Sequence, residues 1–346
     1  MNYIPPHRSD GTIQIQRVRL PWPKDKPFRI LSIDGGGICG ILPASVLAEL
    51  ESRYLGGKSV ATCFDMIAGT STGGIIALGL GSGKTAAEIR DIYVERGGFI
   101  FPTGNWLMRK LRSLRQYVRY KYDAKVLEGE LYRILGNKLF GESLVRLCIP
   151  SFEGRHGEPW IYKTPHHPDY KNDQHERMVR VGMATAAAPT FFRAFENDGY
   201  FMVDGGIWAN NPVMNALTDA LSCYDLDRRQ INILSLGCGE TNFKVTPRRS
   251  KGGKFQWKDV ISAAMRAQSK NALGQAYLLV GKDQVLRLDG PESTNPIELD
   301  DHHRACSDLP AMGRSLVEAN GQGIYVTFLR ERSGTTAIGI GTAAAT

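Results

Sequence analysis

The chain has 346 residues, 42% of them hydrophobic and 23% charged, and a formal net charge of +8. This size predicts one large domain, or one domain with a smaller appendage. Six cysteines without paired spacing argue against a disulfide framework and favour reduced thiols in a cytosol. There is no apolar run of about 18 residues and no apolar leader at the start, so neither a spanning helix nor a signal peptide is expected.

The first predicted element is a buried strand, Phe28–Ile33, which runs directly into a glycine turn. Gly35, Gly36 and Gly37 form this turn, and a helix is predicted to follow over Ile41–Tyr54. Successive glycines before a helix expose backbone N–H groups, so the turn is suited to bind an anion, either a phosphate or an oxyanion.

The same turn also matches G-x-G-x-x-G through Gly35, Gly37 and Gly40. A Rossmann-type oxidoreductase is therefore an alternative, but that fingerprint needs an acidic residue about 20 positions on, at the end of a second strand. The next strand candidate, residues 64–68, carries Asp65 near its start instead. A dinucleotide site is the less favoured interpretation.

The second glycine turn has the form G-x-S-x-G, with Gly69, Ser71 and Gly73 at the three defining positions. It lies between an apolar strand candidate and an apolar helix candidate, the context of a nucleophile elbow. Ser71 is then a candidate nucleophile, and the N–H of Thr72 at the helix start is a candidate oxyanion donor.

Residues 81–85, Gly-Ser-Gly-Lys-Thr, imitate the end of a phosphate-binding P-loop. The first glycine of that motif would have to be residue 78, which is Leu78. The favoured interpretation is a helix C-terminus followed by Thr85 as the N-cap of the next helix.

The third turn follows a strand predicted at residues 200–203 and consists of Asp204, Gly205 and Gly206. A carboxylate at a strand end, next to glycines, can approach another turn closely, so Asp204 is the favoured base for Ser71. The late pair His302 and His303 is the alternative, but it lies in a charged segment expected to be solvated.

The remaining pair, His166 and His167, is flanked by prolines and predicted to lie in a loop. A structural or solvated pair is favoured there over a metal site, and neither a metal nor a cofactor is expected.

The predicted fold is α/β, with a mostly parallel central sheet and helices on both faces. Helices are predicted at 255–279 and 308–319. The strand candidates that alternate with helical segments are Phe28–Ile33, 64–68, 145–151, 200–203, Ile231–Leu236 and 284–288. The expected organisation is an extension at 1–26, a catalytic domain at 27–240, a part packed on the same domain at 241–333, and a disordered tail at 334–346.

The three turns, in this order and spacing, resemble the patatin-like phospholipases over roughly residues 27–239. The resemblance implies a three-layer fold and a Ser–Asp dyad, with Ser71 as nucleophile, Asp204 as base, and Gly35, Gly36 and Gly37 as oxyanion donors. It implies a phospholipase A-type hydrolase that cleaves acyl esters of membrane glycerophospholipids. Where the family often has Arg or Lys, this chain has Cys39.

Residues 105–122 combine six basic residues with an apolar helical stripe. This pattern fits a helix on an anionic membrane, but equally a core-packed helix, an active-site cap, a phosphate site or a subunit contact. A cytoplasmic enzyme peripheral to the inner face of the cell membrane is expected, with a homo-oligomer left open. Binding to a nucleic-acid polymer is not expected.

Residues 163–173 resemble a stretch of the bacterial patatin-like effectors of cyclic-oligonucleotide anti-phage (CBASS) signalling. That resemblance implies activation by a cyclic dinucleotide. A constitutive housekeeping acyl hydrolase is the alternative.

Overall fold

The computed structural model describes residues 5–7, 17–102, 120–239, 260–293 and 295–330. Within them eight strands form one sheet, in the order β5-β6-β3-β2-β1-β7-β8, with β4 paired to β3. The strands are β1 (Phe28–Ile33), β2 (Met66–Gly69), β3 (Arg146–Glu153), β4 (Glu158–Lys163), β5 (Phe195–Asn197), β6 (Tyr200–Asp204), β7 (Ile231–Leu236) and β8 (Val285–Leu288).

Helices connect and cover these strands. They are α1 (Ile41–Tyr54), α2 (Thr72–Gly81), α3 (Ala86–Ile100), α4 (Ala124–Leu135), α5 (Met178–Thr185), α6 (Gly206–Ala209), α7 (Val213–Cys223), α8 (Val260–Val280) and α9 (His302–Ile324). A π-helical turn, Tyr325–Leu329, continues α9.

The sheet is buried on both faces, as the alternation along β1 shows. Leu31 and Ile33 pack into a core shared with α1, while Phe28 and Ile30 pack into a second core shared with α7 and α8. Side chains alternate between the two faces of a strand, so a strand apolar at both sets of positions needs cover on both. The predicted α/β class, with helices on both faces in three layers, is confirmed.

The central strands β3, β2, β1, β7 and β8 pair in parallel, while β4, β5 and β6 add antiparallel pairs at one side. The bounds predicted for β1, β7 and α1 are confirmed. The prediction that β2 begins at residue 64 is wrong by two residues. Asp65 lies just before the strand, and its side-chain carboxylate, rather than a backbone carbonyl of a paired strand, accepts the N–H of Arg29.

Two further predictions concern helix ends. Thr85 is the N-cap of α3, where it forms a capping box with Glu88, so the helix-cap interpretation of residues 81–85 is confirmed. The start predicted for the last helix is wrong, because α9 begins at His302. Its N-cap is Asp301, whose carboxylate accepts the N–H of Arg304.

The pairing of β3 determines where the strand ends meet. Cys148 pairs with β2 and with β4, and Ser151 pairs with β6 and with β4. A strand has only two edges, so β2 and β6 lie end to end on the edge that β4 leaves open. Since β2 runs parallel and β6 antiparallel to β3, their C-terminal ends point at each other across Pro150.

Candidate active site

The turn after β2 holds Ser71 in a strained backbone conformation. Ser71 has φ 55° and ψ −120°, a positive φ that is uncommon for a residue with a side chain. A Cβ on Gly69 would lie 2.1 Å from the Gly73 carbonyl oxygen, and one on Gly73 would lie 2.3 Å from the Ile33 oxygen. Only glycine fits at these two positions, which explains why the turn has this sequence.

The side chain of Ser71 meets Asp204, which lies at the end of β6. Ser71 Oγ donates a 2.6 Å hydrogen bond to Asp204 Oδ2, and the Gly206 N–H donates to Asp204 Oδ1 at 2.7 Å. Gly205 allows the close approach, because a Cβ there would lie 2.4 Å from the Pro150 carbonyl oxygen. The structure thus brings the second and third glycine turns together.

Asp204 is only 6% exposed. Burial raises its pKa to about 6, although the hydrogen bonds from Ser71 and Gly206 favour the charged form. A carboxylate with this pKa is a stronger base than an exposed aspartate and is still mostly ionised at neutral pH.

The histidines have other partners. His302 Nε2 lies 2.9 Å from the Val94 carbonyl oxygen, so this residue is engaged at the start of α9. His166 and His167 lie in a loop as predicted, but both are buried, so the solvated alternative is wrong. His166 Nε2 is 2.7 Å from Asp219 Oδ2.

His166 and Asp219 form, with Cys223, a buried cluster whose ligand-type atoms lie within 4.8 Å of one another. Such a set has the composition of a metal site. Asp219 is already contacted by the Lys163 ammonium at 2.6 Å and by the Tyr170 hydroxyl at 2.5 Å. A cation of the protein therefore balances this carboxylate.

The first glycine turn lies beside Ser71 and is in close contact with Asn210 and Leu299. The Gly35 N–H donates to the Asn210 carbonyl oxygen at 3.0 Å, so this predicted oxyanion donor is already engaged. Gly37 has φ 55°, and a Cβ on it would lie 2.3 Å from the Leu299 carbonyl oxygen. In the described part of the chain, the N–H groups of Gly36, Gly37 and Thr72 are left without an acceptor.

An arginine that the sequence analysis missed anchors this turn. Arg287 on β8 makes a two-point contact with the Asp34 carboxylate, at 3.0 and 2.8 Å, and a third contact with Asp289 at 2.5 Å. Planar two-point pairing is the geometry that guanidinium groups favour with carboxylates. The available signal was a single basic residue inside an otherwise apolar strand, Val285–Leu288.

Cys39 occupies the position at which the family often has a basic residue. Its side chain is buried, and burial raises the pKa of the Cys39 thiol to about 12. The thiol is neutral, so this position adds no charge beside the glycine turn.

A cavity of about 910 Å³ opens onto Ser71, Asp204 and the first glycine turn. Toward α3 and α4 its wall is mostly aliphatic and aromatic, whereas toward α8 it carries polar and charged side chains. The apolar part includes Ile75, Ile92, Ile100, Phe101, Leu127, Leu131, Ile134 and Phe192. The polar and charged lining residues include Ser262, Arg266, Ser269, Lys270 and Asp289. The cavity thus combines a largely apolar lining with several polar groups, as an amphipathic ligand requires.

Three predicted segments lie largely or wholly outside the described residues. They are the basic stretch 105–122, except its last three residues, the start of the helix predicted at 255–279, and the tail 334–346. No helix in the described ranges has the length and apolarity needed to cross a membrane.

Comparison with known proteins identifies the family of this chain. The sequence model named "Patatin-like phospholipase" matches residues 31–217, which is more than half of the chain. This match and the fold define the class of a lipid acyl hydrolase. The chain belongs to the patatin-like phospholipase family, as its turns predicted.

Three bacterial relatives carry the name cGAMP-activated phospholipase. The Vibrio cholerae protein is 33% identical over 83% of this chain and 90% of its own length. The Escherichia coli protein is 34% identical over 64% of this chain and 65% of its own length. The Pseudomonas aeruginosa protein is 36% identical over 72% of this chain and 75% of its own length.

Proposed function

We propose that this chain hydrolyses acyl esters of membrane glycerophospholipids, with Ser71 as the nucleophile and Asp204 as its base. The observation that carries the proposal is the 2.6 Å hydrogen bond from Ser71 Oγ to Asp204, both of which line a largely apolar cavity. Family membership supports the reaction class.

In this mechanism Asp204 accepts the hydroxyl proton while Ser71 Oγ attacks the ester carbonyl carbon. The charge on the carbonyl oxygen is stabilised by the N–H groups of Gly36, Gly37 and Thr72, which have no acceptor among the described residues. The proton then passes to the departing alcohol oxygen, and Ser71 is left esterified by the acyl group. Water hydrolyses this acyl-enzyme in a second step.

The dyad is tested by Ser71→Ala and Asp204→Ala, assayed for fatty-acid release from phospholipid vesicles. Each variant is expected to lose nearly all activity, and the double variant to be little worse, because the two residues act as a unit. Ser315→Ala is the matched control, since this exposed serine only hydrogen-bonds within α9. Activity of Ser71→Ala close to that of the parent would refute the dyad.

We further propose that a cyclic dinucleotide activates this hydrolase in bacterial anti-phage defence. Relatives 33–36% identical to the chain are named cGAMP-activated phospholipases, which supports this regulation. Hydrolysis is measured with and without cGAMP and a panel of other cyclic dinucleotides, and binding is measured by calorimetry. Full activity without nucleotide, together with no binding, would instead favour a constitutive housekeeping hydrolase.

The site of action we propose is the inner face of the cell membrane, which a cytoplasmic enzyme reaches from its surface. The net charge of +8 and the basic stretch 105–122 support attraction to anionic lipid. Anionic vesicles are expected to be hydrolysed faster than neutral ones, and salt is expected to reduce the difference. Equal rates at every ionic strength would contradict this role of the charge.

A further inference from the structure

The cavity extends along α2 from Ser71. This helix begins directly after Ser71, and the Ile75 N–H donates to the Ser71 carbonyl oxygen at 3.0 Å. Ile75 is buried and lines the cavity, so an apolar wall begins one turn from the proposed nucleophile. Gly79 lies one turn further on the same face of α2, because residues four apart in a helix lie above one another. Gly79 does not line the cavity, so along this helix the cavity ends between Ile75 and Gly79.

Ile134 on α4 closes the cavity at this level. A Cβ on Gly79 would lie 2.7 Å from Ile89 Cδ1 on α3 and 3.8 Å from Ile134 Cγ2. Ile134 lines the cavity, whereas Ile89 is fully buried and does not. The Ile134 side chain is therefore the wall between the cavity and the core formed by Gly79 and Ile89.

Helix α3 passes α2 in the opposite direction. Beside Ser71, the Thr72 hydroxyl lies 2.6 Å from the Tyr93 hydroxyl, and one turn earlier on α3 Ile89 reaches the level of Gly79. Helices α2, α3 and α4 thus enclose one part of the cavity, which we call the inner pocket. Its apolar lining comprises Ile75, Ile92, Leu131 and Ile134.

Two charged residues also line the cavity between α3 and α4. Arg96 and Glu130 form a two-point ion pair, at 3.1 and 2.7 Å, which ties the two helices together. Each charge compensates the other, so this pair does not require a charged ligand in the inner pocket. The lining of the inner pocket favours an uncharged, apolar ligand.

We propose that the inner pocket holds the acyl chain of the ester and that Ile134 sets the chain length it accepts, an inference that rests on the proposed function of Ser71. The ester carbonyl carbon must meet Ser71 Oγ, so the alkyl chain attached to that carbon begins at the entrance of the inner pocket. Each CH2 group that enters an apolar pocket raises affinity roughly fourfold. This gain stops where the chain meets Ile134.

The test changes the depth of the inner pocket at one position. Ile134→Ala extends the pocket toward the Gly79 backbone, and Ile134→Phe shortens it. Leu127→Ala is the matched control, because Leu127 is also buried, also lines the cavity and lies on the same face of α4, two turns nearer its N-terminus. There the truncation enlarges the cavity away from Ile134.

Each variant receives an equimolar mixture of p-nitrophenyl esters, from butyrate to palmitate, and every fatty acid released is quantified by mass spectrometry. In Ile134→Ala the ratio of palmitate to butyrate is expected to rise about tenfold over the parent, since one methylene in an apolar pocket changes kcat/KM by about that factor or more. In Ile134→Phe it is expected to fall, and in Leu127→Ala to stay within about threefold of the parent. The esters compete for the same folded molecules, so a loss of folded protein leaves the ratio unchanged.

An unchanged ratio in Ile134→Ala, or an equal rise in Leu127→Ala, would overturn the inference. A second measurement does not depend on catalysis: the same fatty acids are bound to Ser71→Ala, with and without Ile134→Ala, and followed by calorimetry. The chain length at which affinity stops rising is expected to be longer in the double variant, and an equal length in both would also overturn the inference. Ester hydrolysis retained by Ser71→Ala would refute the proposed function, whereas lost hydrolysis with an unchanged ratio in Ile134→Ala refutes only the role of Ile134.

Discussion

Two buried aspartates of this chain are expected to respond in opposite directions to the same substitution. Burial raises the pKa of Asp204 to about 6, against an ordinary value of 3.8. The folded state therefore binds this proton more tightly than the unfolded chain does. The stability that protonation provides is fully present below the unfolded pKa and is lost as pH rises through the folded pKa.

A shift of about two pKa units corresponds to roughly 3 kcal/mol of destabilisation by the ionised carboxylate. Asp204→Asn removes the charge and keeps both contacts, because the amide can accept the Gly206 N–H and donate to Ser71 Oγ. At about pH 8 the variant is expected to be inactive and more stable by up to roughly 3 kcal/mol. For a chain of 346 residues this raises the melting temperature by about 4 °C.

Asp219→Asn is the matched control. Burial alone would raise the pKa of Asp219, but the hydrogen bond from His166 and the charge of Lys163 hold it below its ordinary value. Removing that charge leaves the Lys163 ammonium without its carboxylate partner, so Asp219→Asn is expected to melt below the parent. Melting is followed by calorimetry or circular dichroism from about pH 4 to pH 8, and the gain in Asp204→Asn should vanish toward the acid end. A melting temperature for Asp204→Asn equal to or below the parent's at the alkaline end would refute the reasoning.

Three further predictions follow from the same contacts. The rate of hydrolysis of a soluble ester is expected to reach half its maximum near pH 6, where Asp204 loses its proton, and a flat pH–rate profile across that range would contradict its role as base. Gly73→Ala is expected to abolish activity and lower the melting temperature, since the new Cβ would lie 2.3 Å from the Ile33 oxygen. The control is Gly129→Ala on α4, where a new Cβ would have no atom within 4 Å, and its free energy of unfolding is expected to rise by up to about 1 kcal/mol. Equal melting temperatures for the two glycine variants would contradict the clash at Gly73. Arg287→Leu leaves the buried Asp34 carboxylate and the partly buried Asp289 carboxylate without their shared cation, at an expected cost of about 3–5 kcal/mol in urea unfolding. A loss under about 1 kcal/mol would refute the anchoring role.

The parts that could be predicted from the sequence are those with a local cause. The strand Phe28–Ile33 carries apolar residues on both faces, with Phe28 and Ile30 on one and Leu31 and Ile33 on the other. The turns around Ser71 and Asp204 need glycine where backbone groups approach each other. Such constraints act within a few residues, so they are visible in the order of residues. The α/β class followed from them. The pairing of Ser71 with Asp204 was favoured by the position of Asp204 at a strand end beside glycines, and the family resemblance implied it as well.

Other features depend on contacts between segments far apart in the chain. Whether β2 and β6 share one edge of β3 is a matter of strand register, and only that register places Asp204 2.6 Å from Ser71. Arg287 reaches Asp34 from 253 positions away, a contact that no local pattern encodes. The shift in the pKa of Asp204 likewise arises from burial, which is a property of the assembled core. Tertiary structure alone decides these features, because burial and register depend on how all the elements pack at once.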